Sequence, residues 1–347
     1  MHQFSENRPE LSGFNDYFRD VLGPRLAALE GRRVAASGRS KRYALLAGLG
    51  TLVLGGVGVS LANARLGWDM PFFVVIIVAF MAAVFAAVLP SEGVRKEIKA
   101  VLAGGVFDHI GWTFSPKAER VDLGPWKALG LLPQKHGAAK FEDAVTGTAQ
   151  GVAVRAVDAD IKPFSDEGGD TGYQGLLIEL QLPRAFDGRT VVLPDRGRGN
   201  ADALKLDGGT LKRVGFADPT FEQAFEAYSN DQVGARVLLD PVFMEQLVAM
   251  RDAGTAGGAS HESAPSGGEG LKAALQAGAM GLVHRRSVRF GVDGDRMYIA
   301  LAGALMFDFI ASNVAADDPR NVSVVLRQVA AMLDVIDAVA ARPTGRA

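Results

Sequence analysis

Two stretches without a charged side chain, Tyr43 to Ala64 and Met70 to Pro90, constrain this chain more than any other feature of it. The first has 22 residues and the second 21. At about 1.5 Å of rise per residue, a helix of either length spans about 30 Å, the thickness of a bilayer's hydrocarbon core. The runs therefore predict transmembrane helices over residues 43–64 and 70–90. A cleavable signal peptide does not fit the first run, because 42 residues precede it and a second run follows at once. Residues 65–69 alone connect the runs, so the expected arrangement is a tight antiparallel hairpin. In it Trp68 would sit at the interface, and Asp69 and Pro71 would start the second helix.

Small residues recur at helical spacing, Ala47, Thr51 and Gly55 in the first run and Ala79, Ala83 and Ala87 in the second, so the two helices are expected to pack on each other. Neither run holds an ionisable residue, which argues against an intramembrane proton relay or ion site. Arg25, Arg32, Arg33, Arg39, Lys41 and Arg42 precede the hairpin, and Arg95, Lys96 and Lys99 follow it, whereas the connector has only Arg65. By the positive-inside rule this reads as a multi-pass inner-membrane protein with both termini cytoplasmic.

The domains expected from this pattern are an N-terminal helical segment (1–42), the hairpin (43–64, 65–69, 70–90) and a cytoplasmic domain over 91–347. That last domain carries 28 basic and 33 acidic residues, which disfavours nucleic acid as a partner. The chain has no cysteine, so disulfides, thiolate metal sites and cysteine nucleophiles are excluded. In the N-terminal segment Phe14, Tyr17, Phe18, Val21 and Leu22 share a helical face, with Gly23-Pro24 expected to break the helix. The acidic residues on its polar face favour packing on protein over lying in a membrane interface.

Within 91–347, residues 94–107 read as a helix and residues 144–160 as a strand pair turned at Gln150-Gly151. Leu176 to Leu182 alternates and is closely followed by Thr190 to Leu193, which predicts neighbouring antiparallel strands. A helix bearing Phe221, Ala224, Phe225 and Tyr228 is expected next, then a strand over Arg236 to Leu239, then a helix bearing Phe243, Met244 and Leu247. Asp218-Pro219, Asp240-Pro241 and Asp318-Pro319 are read as helix starts, each aspartate a cap and each proline in the first turn. Residues 253–270, small, polar and glycine-rich, read as a flexible loop, and Asp293-Gly294 as a hairpin turn. Antiparallel pairs with capped helices indicate an α+β class, here a transmembrane hairpin followed by a domain of antiparallel sheet and packed helices.

Three segments carry a resemblance: GRTVVLPDRG (Gly188 to Gly197), FEQAFEAYSNDQVGARVLLDPVFMEQLVAM (Phe221 to Met250) and GVDGDRMYIAL (Gly291 to Leu301). Together with the hairpin they resemble a bacterial domain-of-unknown-function family of two-pass membrane proteins, sometimes encoded beside LemA-type proteins. The resemblance implies a bilayer-embedded protein and brings no catalytic or binding residue with it.

The residues themselves show no phosphate-binding GxxxxGK, GxGxxG, GxSxG or HExxH pattern, and no cofactor is expected. Asp108 beside His109 is the best acid–base pair, but adjacent helical positions point about 100° apart. Asn230, Asp231 and Gln232 form the one polar cluster inside the recognisable region. Asp231 and Arg236 are the candidate binding residues, against the plainer reading of Asp231 bonding its own turn and Arg236 pairing on the surface. The function expected is a membrane-tethered cytoplasmic interaction module with the lipid bilayer and a protein as partners. The alternative is a small-ligand sensor or enzyme whose site is assembled from distant residues.

Overall fold

The computed structural model describes residues 2–36, 38, 42, 46, 50, 93–164, 172–195, 200, 205, 206, 209–256, 287–303 and 315–340. It corrects the first expectation. Among the described residues no helix is long and apolar enough to cross a membrane. Of residues 43–64 only 46 and 50 are described, and the rest of that run, the connector 65–69 and residues 70–90 lie outside the described residues. The transmembrane hairpin is therefore withdrawn from the fold. The inner-membrane, multi-pass placement with both termini cytoplasmic rested on it and is corrected with it. The α+β class stands, since helices accompany a large antiparallel sheet.

The chain forms two compact units, residues 1–110 with 307–325 and residues 111–306 with 326–347. In the first, helix α1 starts at Phe14–Tyr17, passes through a π-helical turn at Phe18–Leu22 and continues over residues 23–36. Gly23-Pro24 does not break it. Proline lacks an N–H and its ring crowds the carbonyl four residues back, a misfit that the wider π turn absorbs. Glycine is needed beside it, because a Cβ at residue 23 would lie 2.8 Å from the Phe18 carbonyl oxygen.

Helix α2 (residues 93–109) runs antiparallel to α1. Phe14 and Tyr17 place their rings 5.2 and 5.1 Å from His109, and Leu22 lies where a Cβ on Gly105 would come within 2.5 Å of it. Further on, Arg32 pairs with Glu97. The N-terminal residues fold back onto α1: Phe4 N donates to Asn15 Oδ1 (2.7 Å), Asn15 Nδ2 donates to Phe4 O (3.0 Å), and the Phe4 ring meets Phe14 and Phe18 edge-on. The apolar face of α1 is thus covered by protein.

The second unit is built on a sheet. Among the described residues nine strands pair antiparallel in the order β1-β2-β3-β4-β9-β8-β5-β7-β6. They are β1 (Thr113–Lys117), β2 (Ala139–Ala149), β3 (Val152–Ile161), β4 (Tyr173–Gln181), β5 (Arg189–Pro194), β6 (Lys212–Val214), β7 (Phe225–Ser229), β8 (Ser287–Asp293) and β9 (Arg296–Ala302). The β2–β3 turn falls at Gln150-Gly151 as the sequence predicts, both with positive φ (51° and 77°). The β8–β9 turn also forms, one residue on from its expected place. Asp293 pairs with Arg296, and Gly294-Asp295 is the two-residue loop.

The strands β4 and β5, expected to be neighbours, are not. The β8–β9 hairpin lies between them, with β9 on β4 and β8 on β5. The connection from β4 crosses the tip of that hairpin, where Leu182 N donates to Asp295 O (2.8 Å) and Phe186 N to Gly294 O (2.9 Å).

One face of the sheet holds Val157, Ile161, Leu177, Val191, Tyr298 and Ala300, buried under Val121, Leu123, Trp126, Leu129 and Leu131. The cover is the segment around α3 (Gly124–Ala128), and its Trp126 ring meets Tyr298 edge-on at 4.7 Å. On the other face Phe290 packs against Phe243.

Helices α4 (Pro219–Ala224), α6 (Pro241–Ala256) and α7 (Pro319–Ala340) follow the sequence reading at their starts, whereas α5 (Gln232–Leu238) is a helix that reading does not include. Asp218 accepts from Thr220 N and Phe221 N, Asp240 from Phe243 N, and Asp318 from Arg320 N, so all three Asp-Pro aspartates are caps.

Two elements differ. The helix expected through Tyr228 stops at Ala224, and Phe225–Ser229 is a strand with all five residues buried. A strand covered on both faces has no alternation to show, so its apolar spacing reads equally well as a helix. The expected strand Arg236 to Leu239 lies instead mostly within α5, whose helix Asp231 starts. Of the loop expected at 253–270, residues 253–256 belong to α6 and the rest lies outside the described residues.

Glu30, in the first unit, accepts two hydrogen bonds from Arg33 (2.7 Å each) and one from Ala316 N (2.8 Å). The Arg33 guanidinium, aided by the Ala316 N–H, holds its carboxyl below the usual carboxylate range. A depressed folded-state pKa contributes stability that is complete above the unfolded value, about 4.3, and is lost as pH falls through the folded value. Thermal unfolding of Glu30→Gln between pH 6 and pH 3 should therefore show a smaller loss of midpoint on acidification than the wild type. Parallel curves would show that Glu30 does not contribute.

Candidate functional site

The insertion of β8–β9 beside β5 creates a recess on the second unit. It is a cleft of ≈ 300 Å³ lined by Phe186, Gly188, Arg189, Asn230, Asp293 and Gly294. Its residues come from all three segments singled out in the sequence: Gly188 and Arg189 from the first, Asn230 from the second, Asp293 and Gly294 from the third. Arg189 opens β5 directly opposite Asp293 on β8, and its Nη2 donates to Asp293 Oδ2 at 2.6 Å. The row continues across the sheet with Arg296 opposite Asp293 and Gln181 opposite Arg296. Arg296 is bound by Glu179, whose hydrogen bond raises the arginine's pKa further. This end of the sheet face is therefore a band of alternating charge.

The floor of the cleft is fixed by the turn after β7. Ser229, wholly buried, has its hydroxyl 3.0 Å from Thr190 Oγ1 and from Arg189 O, and accepts from Asp231 N at 3.0 Å. Asn230 Oδ1 accepts from Arg189 N at 2.7 Å. Residue 188 has φ 76°, and a Cβ there would lie 2.5 Å from Asn230 Oδ1 and 2.9 Å from Asp231 Cβ, so only glycine lets the strand approach the turn. Cleft and α5 are thereby contiguous at Asn230-Asp231.

Of the two residues proposed from sequence, Asp231 is the N-cap of α5, accepting from Val233 N (3.1 Å) and Gly234 N (3.0 Å). Arg236 lies five residues along the same helix, exposed, with Nη1 donating to Gln232 O at 3.0 Å. No hydrogen bond or ion pair joins them, and no carboxylate among the described residues lies within ion-pair reach of Arg236. Around Arg236 the helix is apolar outward: Val233 is 73% exposed and Val237 40%, with Val242 59% exposed at the start of α6.

The other sequence candidates do not converge here. His109 Nε2 donates to Ser12 O at 3.2 Å and is not bonded to Asp108, both in the first unit. His136 bonds Gly137 O through Nδ1. Among the described residues no group of three or more His, Asp or Glu is placed to hold a metal ion. Sequence reasoning missed the Arg189–Asp293 pair, whose members stand 104 positions apart. It also missed a buried carboxylate, Glu226, which accepts from Tyr228 OH (3.0 Å) and from Asn200 N and Nδ2 (3.0 and 2.6 Å). That group holds residue 200 against β7, and burial, with Glu226 adding to it, raises the Tyr228 phenol above its ordinary pKa.

Residues 171–257 match the model of a family described as protein of unknown function (DUF3137). The match takes in β4 to α6, with Arg189, Asn230, Asp231 and Arg236, and ends before Asp293. No curated protein matches the chain. A solved structure, the mycobacterial trehalose monomycolate transport factor A (TtfA), is similar at 14% identity over 73% of this chain and 98% of that one, with a TM-score of 0.32. A likeness that distant carries no argument about this chain.

A Cβ at residue 234 would lie 2.1 Å from Asp231 Oδ2, so the cap and the glycine are coupled. Urea unfolding should show Asp231→Ala destabilised by about 1 kcal/mol through the lost cap. Gly234→Ala should destabilise the wild type but stabilise the Asp231→Ala variant by roughly 0.5–1 kcal/mol, because helix propensity is then all that changes. The same sign in both backgrounds would rule the coupling out.

Proposed function

We propose that the second unit is a protein-binding module, and that α5 with the adjoining cleft is the surface it presents. The observation that carries this reading is the outward face of α5. Val233 and Val237, four residues apart and exposed, flank Arg236, whose charge no carboxylate among the described residues neutralises. β-branched residues are weaker helix formers than the straight-chain side chains usual on a solvated face, and exposed apolar groups gain nothing from water. A partner that covers the valines and brings an acidic group to Arg236 removes both costs. The bonding of Ser229, Asn230 and Asp231 supports the same reading, because a surface already held in place loses little freedom on binding. Asp231 acts here through the helix it caps, and Arg236 by direct contact.

The test is photo-crosslinking in cells that make the protein natively, with a benzophenone amino acid at Val233 or Val237 and, as a control, at Phe164, which is 61% exposed. The expected result is a discrete adduct from both α5 positions, absent from the control. With the partner identified and purified, Arg236→Glu should weaken binding at least about tenfold, equivalent to about 1.4 kcal/mol, with an unchanged unfolding midpoint. No adduct from α5, or the same adducts from Phe164, would refute the assignment.

A further inference from the structure

Arg189 and Asp293 line the same cleft but are held differently. The backbone of Arg189 is bonded on both sides, its N–H to Asn230 Oδ1 and its carbonyl to Asn230 N and Ser229 Oγ, and its side chain is 21% exposed. Asp293 stands at the end of β8, next to Gly294 in a two-residue loop, and its side chain is 48% exposed. The guanidinium is the fixed member of the pair and the carboxylate the freer one. We infer that Arg189 is a receptor for a carboxylate of the bound protein, and that Asp293 is an internal stand-in which that carboxylate displaces.

The recess supplies what such an exchange needs. A guanidinium meets any carboxylate with the same planar fork, so an incoming group reproduces the bond it replaces. The released Asp293 is half in water already and turns outward at the hairpin tip. Phe186 offers an apolar wall to the rest of the ligand. A carboxylate is favoured over a phosphate by charge, because Arg189 is the one cation among the lining residues while Asp293 lines the cleft and Asp295 adjoins it, and Arg296, opposite Asp293, is already bound by Glu179. A dianion would meet more repulsion there than a monoanion. The inference rests on the reading of this unit as a protein-binding module and adds what the partner must carry, either an acidic side chain or a chain-terminal carboxylate.

An internal competitor reduces apparent affinity by the fraction of time it occupies the site, so its removal must tighten binding. The side-chain Nε–H signal of Arg189 in the isotope-labelled full chain reports the exchange. It would be titrated with N-acetyl-glutamate N-methylamide for a side-chain carboxylate, N-acetyl-phenylalanine for a terminal one, and inorganic phosphate. One of the two carboxylates should shift the signal saturably, and whichever acts at the lower concentration identifies the source. Asp293→Asn should lower the half-saturating concentration by roughly five- to tenfold, as a freed site predicts. Asp293→Ser should do the same, and guards against an effect peculiar to asparagine.

Arg189→Gln, followed on backbone signals of residues 186–188, should abolish the response. Half-saturation unchanged or raised in both Asp293 variants would overturn the inference and show a purely structural ion pair. So would a stronger response to phosphate than to either carboxylate, or no saturable response at all. Crosslinks from α5 persisting in those cases would leave the binding-module reading intact, whereas carboxylate exchange without α5 crosslinks would remove α5 alone.

Discussion

The pairing of β9 with β4 and of β8 with β5 holds the second unit together. Strands β1 to β4 form one antiparallel run and β5, β7 and β6 another, and within the described residues the two runs meet only through the β8–β9 hairpin. Register is tight along both seams, Gly175 to Gln181 against Ala302 to Arg296 and Arg189 to Val192 against Asp293 to Phe290. Without the hairpin each run would end in an open edge with unpaired N–H and C=O groups. Closing so long a stretch of chain costs entropy before any contact is gained, and the buried row of Val191, Leu177, Tyr298 and Ala300 offsets it.

The cleft is a product of that seam. Arg189 faces Asp293 because β5 and β8 are neighbours, and the connection from β4 must cross the hairpin tip to reach β5, which brings Phe186 and Gly188 alongside. A recess bounded by a strand start, a hairpin tip and a turn has backbone bonds on three sides. Its polar groups are positioned by the sheet itself.

The turn at Ser229 to Asp231 extends this order outward. The buried Ser229 hydroxyl ties the turn to Arg189, Asn230 closes over the same strand, and Asp231 then starts α5. A seven-residue helix has little stability of its own. Its cap, and the burial of Ala235 and Leu238, keep it in place while the valines remain outside. The first unit follows a different logic. There two antiparallel helices pack closely, and a π turn accommodates the one proline that would have ended α1.

Local chemistry was legible in the residues. The three Asp-Pro caps, the Gln150-Gly151 turn, the β8–β9 hairpin and the helix at 93–109 follow from interactions a few positions apart, which any tertiary context leaves in place. Residues 225–229 were not legible, because a strand buried on both faces carries no alternation, and residues 236–239 were not, because a short apolar run reads as strand or helix alike and the cap at Asp231 starts a helix that takes in most of it. The runs at 43–64 and 70–90 read as spans from their length and their lack of charge, and no described helix is long and apolar enough to cross a membrane. At the candidate site, the sequence by itself marked Asn230, Asp231 and Gln232 as a polar cluster and Asp231 and Arg236 as candidate binding residues. Only the tertiary structure decided that Arg189 meets Asp293, that β4 and β5 are separated, and that Val233 and Val237 face outward. Each of these depends on which distant strand fills an edge, and that is settled by burial summed over the whole sheet.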